Sequence, residues 1–344
     1  MWPFLLMKNK LRFYFLLIIG GIISCRPSGH PSSDNQVTVP AEKKNSPQAA
    51  LYQLNDRIQK NPTDAAAYFE RGQIFFSQKD LDQAYLDVSK AVSLDSTKAG
   101  YYLLLADINF KGFHIQKTVQ AFEKCLQIDP KNMEARLKLA ELYLYIKGYP
   151  KALEYANDAL RLDKRQAKAY FIKGFVYKET HDTASAISSF ETVIELQPEN
   201  YDALIQLGNL CAARNMKAAE QYYNNALHLS PRSTEALYDR GLYYQNSGQL
   251  EKAIADYQTL LNIDPKYADA YFNMGFIDLV LKKEYRASII HFSDAIRANP
   301  NFADAFYNRG MAYLMLGDKS AAKKDFQDAL KIFPTYAMAK DQLQ

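Results

Sequence analysis

The chain has 344 residues, of which 48% are apolar and 13% aromatic, so it can bury a core and is not a wholly disordered polypeptide. Its formal net charge is +4, but three of these charges come from Lys8, Lys10 and Arg12 near the start. The remainder is close to neutral, which gives no electrostatic reason to expect a nucleic acid as a partner.

Residues 1–24 are predicted to be a signal peptide. The three basic residues precede an uncharged run, residues 13–23, that is too short to span a bilayer but has the length of a signal-peptide core. The run leads into Ile-Ile-Ser before Cys25, a sequence that resembles the lipobox of bacterial lipoproteins. In that family the cysteine is lipidated and becomes the first residue after cleavage, which implies a membrane anchor on Cys25. The alternative is an ordinary signal peptide with an incidental cysteine.

Residues 25–48 are predicted to form the lipidated cysteine and a disordered tether. They contain four prolines and no aromatic residue, a composition typical of flexible linkers. Arg26 follows the cysteine, where the enterobacterial sorting rule associates Asp with retention in the inner membrane. The resemblance therefore favours attachment to the outer membrane of the bacterial cell envelope, facing the periplasm.

A motif of about 34 residues recurs along the rest of the chain. Residues 268–275, ADAYFNMG, are nearly repeated at 303–310, ADAFYNRG. Extending this pair in both directions divides residues 65–336 into eight units, one of them 33 residues long and one 35. A near-copy at a fixed offset predicts a stacked structural unit rather than a catalytic site. Repeats one to eight begin at Ala65, Ala99, Met133, Ala167, Tyr201, Thr234, Ala268 and Ala303.

Large and small residues alternate in these units in a fixed order. The eighth repeat shows the order most fully, with Phe306, Gly310, Tyr313, Ala322, Phe326, Ala329 and Pro334. The first three lie on one stripe of a helix, the small residues allow paired helices to approach, and the aromatic rings fill the gaps. The pattern resembles the tetratricopeptide repeat (TPR). The resemblance implies an all-α fold, a TPR superhelix or α-solenoid of about eight helix-turn-helix repeats.

The two ends of the array are predicted to be helical caps. Residues 49–64 have apolar residues at helical spacing before Pro62, which indicates a lone second helix, a half-repeat that covers the first pair. Residues 337–344 are predicted to form a polar C-terminal capping helix. A solenoid needs such ends because each repeat can bury its apolar stripe only against a neighbour.

The candidate functional site is the face of the first helices one residue beyond the packed stripe. In TPR proteins this face lines a concave groove that binds peptides, so the resemblance implies a groove for a segment of a partner protein. An apolar face with an acidic margin favours an apolar, basic segment. The alternative is that its aromatic residues only pack against adjacent helices. The predicted groove residues are Phe171, Phe175, Tyr238, Leu242, Asp269, Phe272, Phe276, Leu279, Asp304, Tyr307, Met311 and Leu314.

The other residue patterns do not indicate a disulfide, a metal site or a catalytic site. Cys125 and Cys211 occupy packing positions three repeats apart, too far for a disulfide. No two histidines share metal-ligand spacing, so neither metal nor any other cofactor is expected. A basic cluster at residues 161–168 indicates a solvated corner, or else contact with an acidic partner or anionic headgroups. No phosphate-binding loop or nucleophile motif occurs, and the repeats leave no room for a catalytic domain, so the chain is not expected to be an enzyme.

The function that the sequence favours is protein–protein interaction. We expect a membrane-anchored adaptor or scaffold of the bacterial cell envelope that binds partner segments in the groove. One alternative is a pilotin-like factor that assembles a secretin, pilus or secretion complex. An alternative of another class is a glycan- or peptidoglycan-binding protein that stacks exposed tyrosines on sugars.

Overall fold

The computed structural model describes residues 46–343, and this part of the chain is entirely helical, without a strand. The predicted signal peptide, Cys25 and most of the predicted tether lie outside the described residues. The helices are α1 (Pro47–Lys60), α2 (Ala65–Ser77), α3 (Leu81–Leu94), α4 (Ala99–Lys111), α5 (Ile115–Ile128), α6 (Met133–Tyr145), α7 (Tyr149–Leu162), α8 (Ala167–Glu179), α9 (Thr183–Leu196), α10 (Tyr201–Ala213), α11 (Ala218–Leu229), α12 (Thr234–Asn246), α13 (Leu250–Ile263), α14 (Ala268–Phe276), a π-helix (Ile277–Lys282), α15 (Tyr285–Ala298), α16 (Ala303–Met315), α17 (Lys319–Ile332) and α18 (Ala337–Asp341).

Helices α2 to α17 form eight pairs. The first helix of every pair begins at the residue where the sequence begins the repeat. Each first helix packs against the second helix of its own repeat, and each second helix packs against the first helix of the next repeat. This confirms the prediction of an all-α solenoid built from helix-turn-helix repeats. None of the described helices is long and apolar enough to cross a membrane.

Small residues in the first helices permit close packing of the second helices. A Cβ atom on Gly208 would lie 2.5 Å from the ring of Tyr223, and one on Gly310 would lie 2.7 Å from the ring of Phe326. Both rings are fully buried. The alternation of small and large residues is therefore the direct cause of helix pairing, as the sequence predicts.

The turn inside each repeat contains one residue with positive φ. Gly248 (φ +76°) and Gly317 (φ +85°) occupy this position in repeats six and eight. The backbone N–H of Asp318 then donates to the carbonyl of Tyr313 at 3.0 Å, which closes the first helix. The other repeats place side chains in this left-handed conformation, namely Lys79, Phe113, Lys147, His181, Asn215 and Lys283.

Repeat seven is one residue longer than its neighbours, and a π-helix absorbs the extra residue. Residues Ile277–Lys282 continue α14 with this wider winding. The N–H of Glu284 donates to the carbonyl of Asp278 at 2.7 Å, one residue further back than the equivalent bond in repeat eight. Asp278 is buried here, and its carboxylate lies 2.7 Å from Nδ1 of His291.

Three repeats contain an arginine–aspartate pair between their two helices, which the sequence analysis did not anticipate. In repeat eight the Nε and Nη2 atoms of Arg309 each donate to a carboxylate oxygen of buried Asp325 at 2.8 Å. The Nη1 atom donates to Ser293 Oγ of the preceding repeat at 3.0 Å, so one side chain joins three helices. The equivalent pairs are Arg71–Asp87 in repeat one and Arg240–Asp256 in repeat six.

The described ends of the array are helical. Helix α1 begins two residues before the predicted cap and ends at Lys60, before Pro62, because proline cannot continue a helix. Helix α18 covers only Ala337–Asp341 of the predicted C-terminal cap. Its Ala339 is buried beside Phe326 and Tyr336, so the short helix covers the last pair.

Candidate functional site

The first helices lie on the inner side of the helix stack. Successive first helices contact each other directly, as in α6 with α8 and α10 with α12. In the described part of the chain, no two second helices of adjacent repeats make contacts as extensive. Elements on the inside of a curve lie closer together, so the first helices line its concave side. We call the residues at positions 2, 5, 6, 9 and 12 of the first helices the inner face.

Aromatic residues at position 5 form a ladder along the inner face of the last three repeats. The ring centroid of Phe272 lies 4.9 Å from that of Phe302, in the turn that leads to the next repeat. The same ring lies 5.6 Å from Phe292 in its own second helix. Tyr307 repeats this arrangement with Tyr336 at 5.3 Å and Phe326 at 5.6 Å. Tyr238 does so with Tyr267 and Tyr257.

The predicted groove residues are mostly half-buried. Phe171 and Phe175 lie edge to face, with centroids 4.9 Å apart, and both contact the buried ring of Phe190. These aromatics therefore support the helix packing with one side while keeping part of their surface accessible. The same intermediate burial holds for Leu242, Phe276, Met311 and Leu314.

One predicted groove residue, Leu279, is buried, and another, Asp304, has a hydrogen-bond partner within the chain. Leu279 is 9% exposed and packs with Phe292 and Ala312 in the core. The prediction was wrong because the π-helix shifts the rotation of residues after Phe276. Asp304 was expected to form part of an acidic margin, but its Oδ1 accepts a 2.6 Å hydrogen bond from the hydroxyl of Tyr336. Asp269 is exposed, as the prediction requires.

A group of carboxylates lies on the inner face of repeats five and six. Burial raises the pKa of Asp239 to about 6, against the lowering effect of the Asn209 amide, and Glu235 adds repulsion. The pKa of Glu235 is raised by burial and by the charge of Asp202. Burial also raises the pKa of Asp202. Three acids therefore share one stretch of the inner face, where Asp239 is half-buried and Asp202 and Glu235 are exposed.

One lysine projects toward this carboxylate group without neutralising it. The Nζ of Lys178, on the neighbouring repeat, donates to Gln206 Oε1 at 2.5 Å. Burial lowers the pKa of Lys178, although Glu179, Asp239 and Glu235 each raise it. No described lysine, arginine or histidine forms an ion pair with Asp239. The group retains a net negative charge at neutral pH.

The sequence analysis did not include this group among the predicted groove residues. Asp202 and Glu235 share position 2 with the predicted Asp269 and Asp304, whereas the signal for Asp239 was position 6 of the first helix, which the search for residues one step from the packed stripe did not include. Asp239 occupies that position in repeat six, and Gln206 and Asn273 occupy it in the adjacent repeats. The Nδ2 of Asn273 donates to the hydroxyl of Tyr238 at 3.3 Å, so position 6 joins neighbouring first helices.

The remaining candidates hold no reactive site in the described residues. Cys125 and Cys211 are buried, unpaired thiols, and burial raises the pKa of Cys125 to about 11, which keeps it protonated and unreactive. Within residues 46–343 no group of three His, Cys, Asp or Glu side chains could hold a metal ion. In the basic cluster, Arg161 pairs with Asp158 and Lys168 with Glu141.

Family models agree with the repeat frame seen in the structure. Models of the tetratricopeptide repeat match residues 65–98 and 99–132, 176–234, 222–255 and 303–336. A further TPR repeat model matches residues 246–277. The chain therefore belongs to the TPR proteins.

Individual proteins resemble this chain over part of its length. The BBSome complex member BBS4 homolog of Drosophila melanogaster is 25% identical over 206 residues, which are 58% of this chain and 42% of that protein. The chain thus spans less than half of this curated relative.

Solved structures share the fold. The C-terminal part of a TPR repeat-containing protein from Cytophaga hutchinsonii has a TM-score of 0.58 at 20% identity, covering 66% of this chain and 94% of that one. PilW, a widely conserved type IV pilus biogenesis factor, has a TM-score of 0.52 at 20% identity, covering 62% and 98%. At these identities the likeness is one of fold.

Proposed function

We propose that this TPR protein is a membrane-anchored adaptor of the bacterial cell envelope, which holds a basic, partly apolar segment of a partner protein against its inner face. The observation that carries the proposal is the unpaired carboxylate group of repeats five and six, next to a half-buried aromatic ladder. Protein binding is the common activity of TPR folds, and the chemistry of this face defines what kind of segment it accepts.

The membrane part of the proposal rests on the sequence. The basic start, the short apolar run and Cys25 together match the pattern of a lipidated signal peptide. Residues 26–45 would then connect the anchor to the helical array, with partners held close to the membrane. We propose the outer membrane, facing the periplasm, because Arg26 follows the cysteine.

The inner face favours a segment that carries positive charge. Burial raises the pKa of Asp202, Glu235 and Asp239, although Asp202 and Glu235 are exposed residues, so keeping the group charged costs free energy. Lys178 acts on Asp239 and Glu235 through its charge, but its Nζ atom donates to Gln206. A lysine or arginine side chain placed there would relieve that cost by direct pairing. The rings of Phe272 and Tyr307 offer apolar contact for neighbouring residues of the same segment.

A charge-reversal experiment tests this proposal. The full chain with Asp202→Lys and Glu235→Lys should recover its partner from envelope extracts at least about tenfold less efficiently, since each change replaces attraction by repulsion. The recovered partner is identified with the unchanged protein first, and its binding is then measured with both variants. Thermal unfolding of each variant checks that the fold is retained.

The matched control reverses two exposed acids on second helices, Asp82→Lys and Glu195→Lys, which alters net charge equally. The control should bind the partner as the unchanged chain does. Equal loss of binding in both variants would show that only net charge matters. Unchanged binding of the inner-face variant would exclude the inner face as the site, while leaving binding by the outer surface open.

A second candidate is an assembly factor for a pilus or secretion complex. It is suggested by the fold shared with PilW, which is described as a type IV pilus biogenesis factor. In that case the captured partner would be a component of such a complex. Deletion of this chain would then reduce the assembled complex without reducing the amount of its subunits.

A further inference from the structure

The turns inside repeats one to three form a patch with two kinds of exposed side chain. Consecutive repeats pack side by side with their first helices in the same direction, so these turns follow one another along one edge of the array. Large apolar side chains on the edge are Phe113, Tyr145 and Ile146. Lysines lie beside them. We call this set the turn patch: Lys79, Lys111, Phe113, Tyr145, Ile146 and Lys147.

Phe113 is the most unusual member of the turn patch. It is 81% exposed, and it adopts a left-handed backbone conformation with φ +60°. Lys79 and Lys147 adopt this conformation in the equivalent turns, and the N–H of His114 closes the helix by donating to the carbonyl of Asn109 at 2.8 Å. The ring contacts no other described aromatic residue. The exposure of a large apolar ring is therefore what distinguishes Phe113.

The three lysines give the turn patch a net positive charge, although the charge of Lys111 also acts on the carboxylate of Asp107. Lys79, Lys111 and Lys147 are exposed, and none of them pairs with a carboxylate of residues 46–343. The acid in the same turns, Asp80, accepts the backbone N–H of Gln83 as the N-cap of α3. The edge therefore presents aromatic and aliphatic side chains between free ammonium groups.

We propose that the turn patch inserts into the headgroup region of an anionic membrane. A protein surface binds such a bilayer through two kinds of side chain. Apolar side chains enter the boundary between headgroups and acyl chains, and lysines beside them face the lipid phosphates. The three lysines provide the charge complementarity, and Phe113 and Ile146 provide the apolar contact. The inference does not require the lipid anchor on Cys25, which would only keep the patch close to the surface.

The opposite edge offers an instructive comparison. Leu162 is 42% exposed within the basic cluster of the turn between repeats three and four. There, however, Arg161 and Lys168 are already paired with Asp158 and Glu141. Leu162 also lies in a turn without an exposed aromatic ring. Lys164 and Arg165 of this turn are exposed, as the lysines of the turn patch are, so the two edges differ in apolar surface. The turn patch presents Phe113, Tyr145 and Ile146, whereas this turn presents Leu162 alone, which is why we assign the membrane contact to the turn patch.

Tryptophan quenching in vesicles tests the assignment on the full chain. Trp2 is the only tryptophan in the sequence, so Trp2→Phe gives a background into which Phe113→Trp introduces a single reporter. The protein is reconstituted into vesicles whose phosphatidylglycerol carries brominated acyl chains. Matched reporters are Leu162→Trp on the opposite edge and Ile290→Trp on an outer helix, where the side chain is also exposed.

We expect the emission at position 113 to be quenched about threefold or more strongly than at positions 162 and 290, because only the turn patch enters the bilayer. Vesicles of phosphatidylcholine should remove the difference. Changing Lys79, Lys111 and Lys147 to Gln should do the same, since each lysine strengthens binding to an anionic surface about fivefold. A second reporter, Ile146→Trp, shows whether the turn patch inserts even if Phe113→Trp disturbs its own turn.

Three results would overturn the proposal. Equal quenching at all three positions would mean that the anchor alone brings the body to the bilayer. Stronger quenching at position 162 would move the contact to the opposite edge. Absence of quenching at both 113 and 146 in a folded protein would leave the turn patch as a contact for another protein. None of these results depends on whether a partner segment binds the inner face.

Discussion

Two sets of carboxylates within residues 46–343 differ in their partners. Between the helices of repeats one, six and eight, Asp87, Asp256 and Asp325 each receive two charged hydrogen bonds from an arginine. On the inner face, Asp239 has no such partner and its pKa is raised to about 6. Repeat six contains both kinds, with Asp239 on α12 and Asp256 on α13.

The aspartates paired with arginine contribute to stability, whereas the inner-face acids are suited to binding. An aspartate held by arginine stabilises the packing of two helices and has no capacity left for a ligand. An aspartate that is poorly solvated and unpaired costs stability, and this cost is recovered only when a cation arrives. We infer that the inner-face acids are retained for a partner, and three predictions follow from the comparison.

Removing one arginine should have the largest effect. Arg309→Met leaves Asp325 buried without a partner, which is expected to destabilise the last repeats by about 3 kcal/mol. Urea unfolding, together with hydrogen exchange of α16 and α17, measures the loss. The double change Arg309→Met with Asp325→Leu should restore most of it, because a well-packed apolar pair costs little.

The control for this prediction is an exposed pair in the neighbouring repeat. Arg297 bonds to Asp294 on the surface of α15, and Arg297→Met should change stability by less than about 0.5 kcal/mol. If Arg309→Met were equally harmless, the paired aspartates would not differ from surface acids and the comparison would fail.

Replacing Asp239 should raise the free energy of unfolding, whereas replacing Arg309 should lower it. Its pKa is raised in the folded protein, so the folded state binds more protons than the unfolded chain between about pH 4 and pH 6, and stability falls as pH rises through that window. Asp239→Asn should therefore stabilise the protein by about 2 kcal/mol at pH 7.5 and have little effect at pH 4. Unfolding curves at both pH values measure this difference. A destabilising effect at pH 7.5 would contradict it.

Partner binding should depend on pH for the same reason. Below pH 6 Asp239 gains a proton and the inner face loses negative charge. Affinity for a basic segment is therefore expected to be about tenfold weaker at pH 5 than at pH 7.5, equivalent to about 1.4 kcal/mol. Titration of the identified partner at the two pH values checks this. With Asp239→Asn the dependence should largely disappear, whereas a dependence that persists unchanged would assign it to other groups.

Most of the fold could be predicted because it depends on a repeated local pattern. The start of every first helix and the contacts of Gly310 with Phe326 follow from small and large residues at fixed spacing. The sequence shows that repeat seven has one extra residue, but it does not show that a π-helix accommodates this residue. Formation of the π-helix depends on which backbone hydrogen bonds can be kept while the helices stay packed. The π-helix also places Leu279 in the core.

The candidate site was less predictable because it depends on contacts between repeats. Sequence periodicity places Phe272 and Tyr307 beside the packed stripe, yet their stacking on Phe302 and Tyr336 involves residues that precede or follow the next helix. Likewise the pKa of Asp239 is raised mainly by burial, which depends on the helices packed around it, while the Asn209 amide of repeat five lowers it. The repeat period by itself does not identify residues that interact across a repeat boundary.

The most direct test of the account compares two positions within repeat seven. A photo-activated crosslinking residue is placed at Asp269 on the inner face, or at Ile290 on the exposed side of α15, in the full chain in its own envelope. We expect a partner to be crosslinked from position 269 and none from position 290. Equal products from both positions, or a product from position 290 alone, would contradict binding on the inner face.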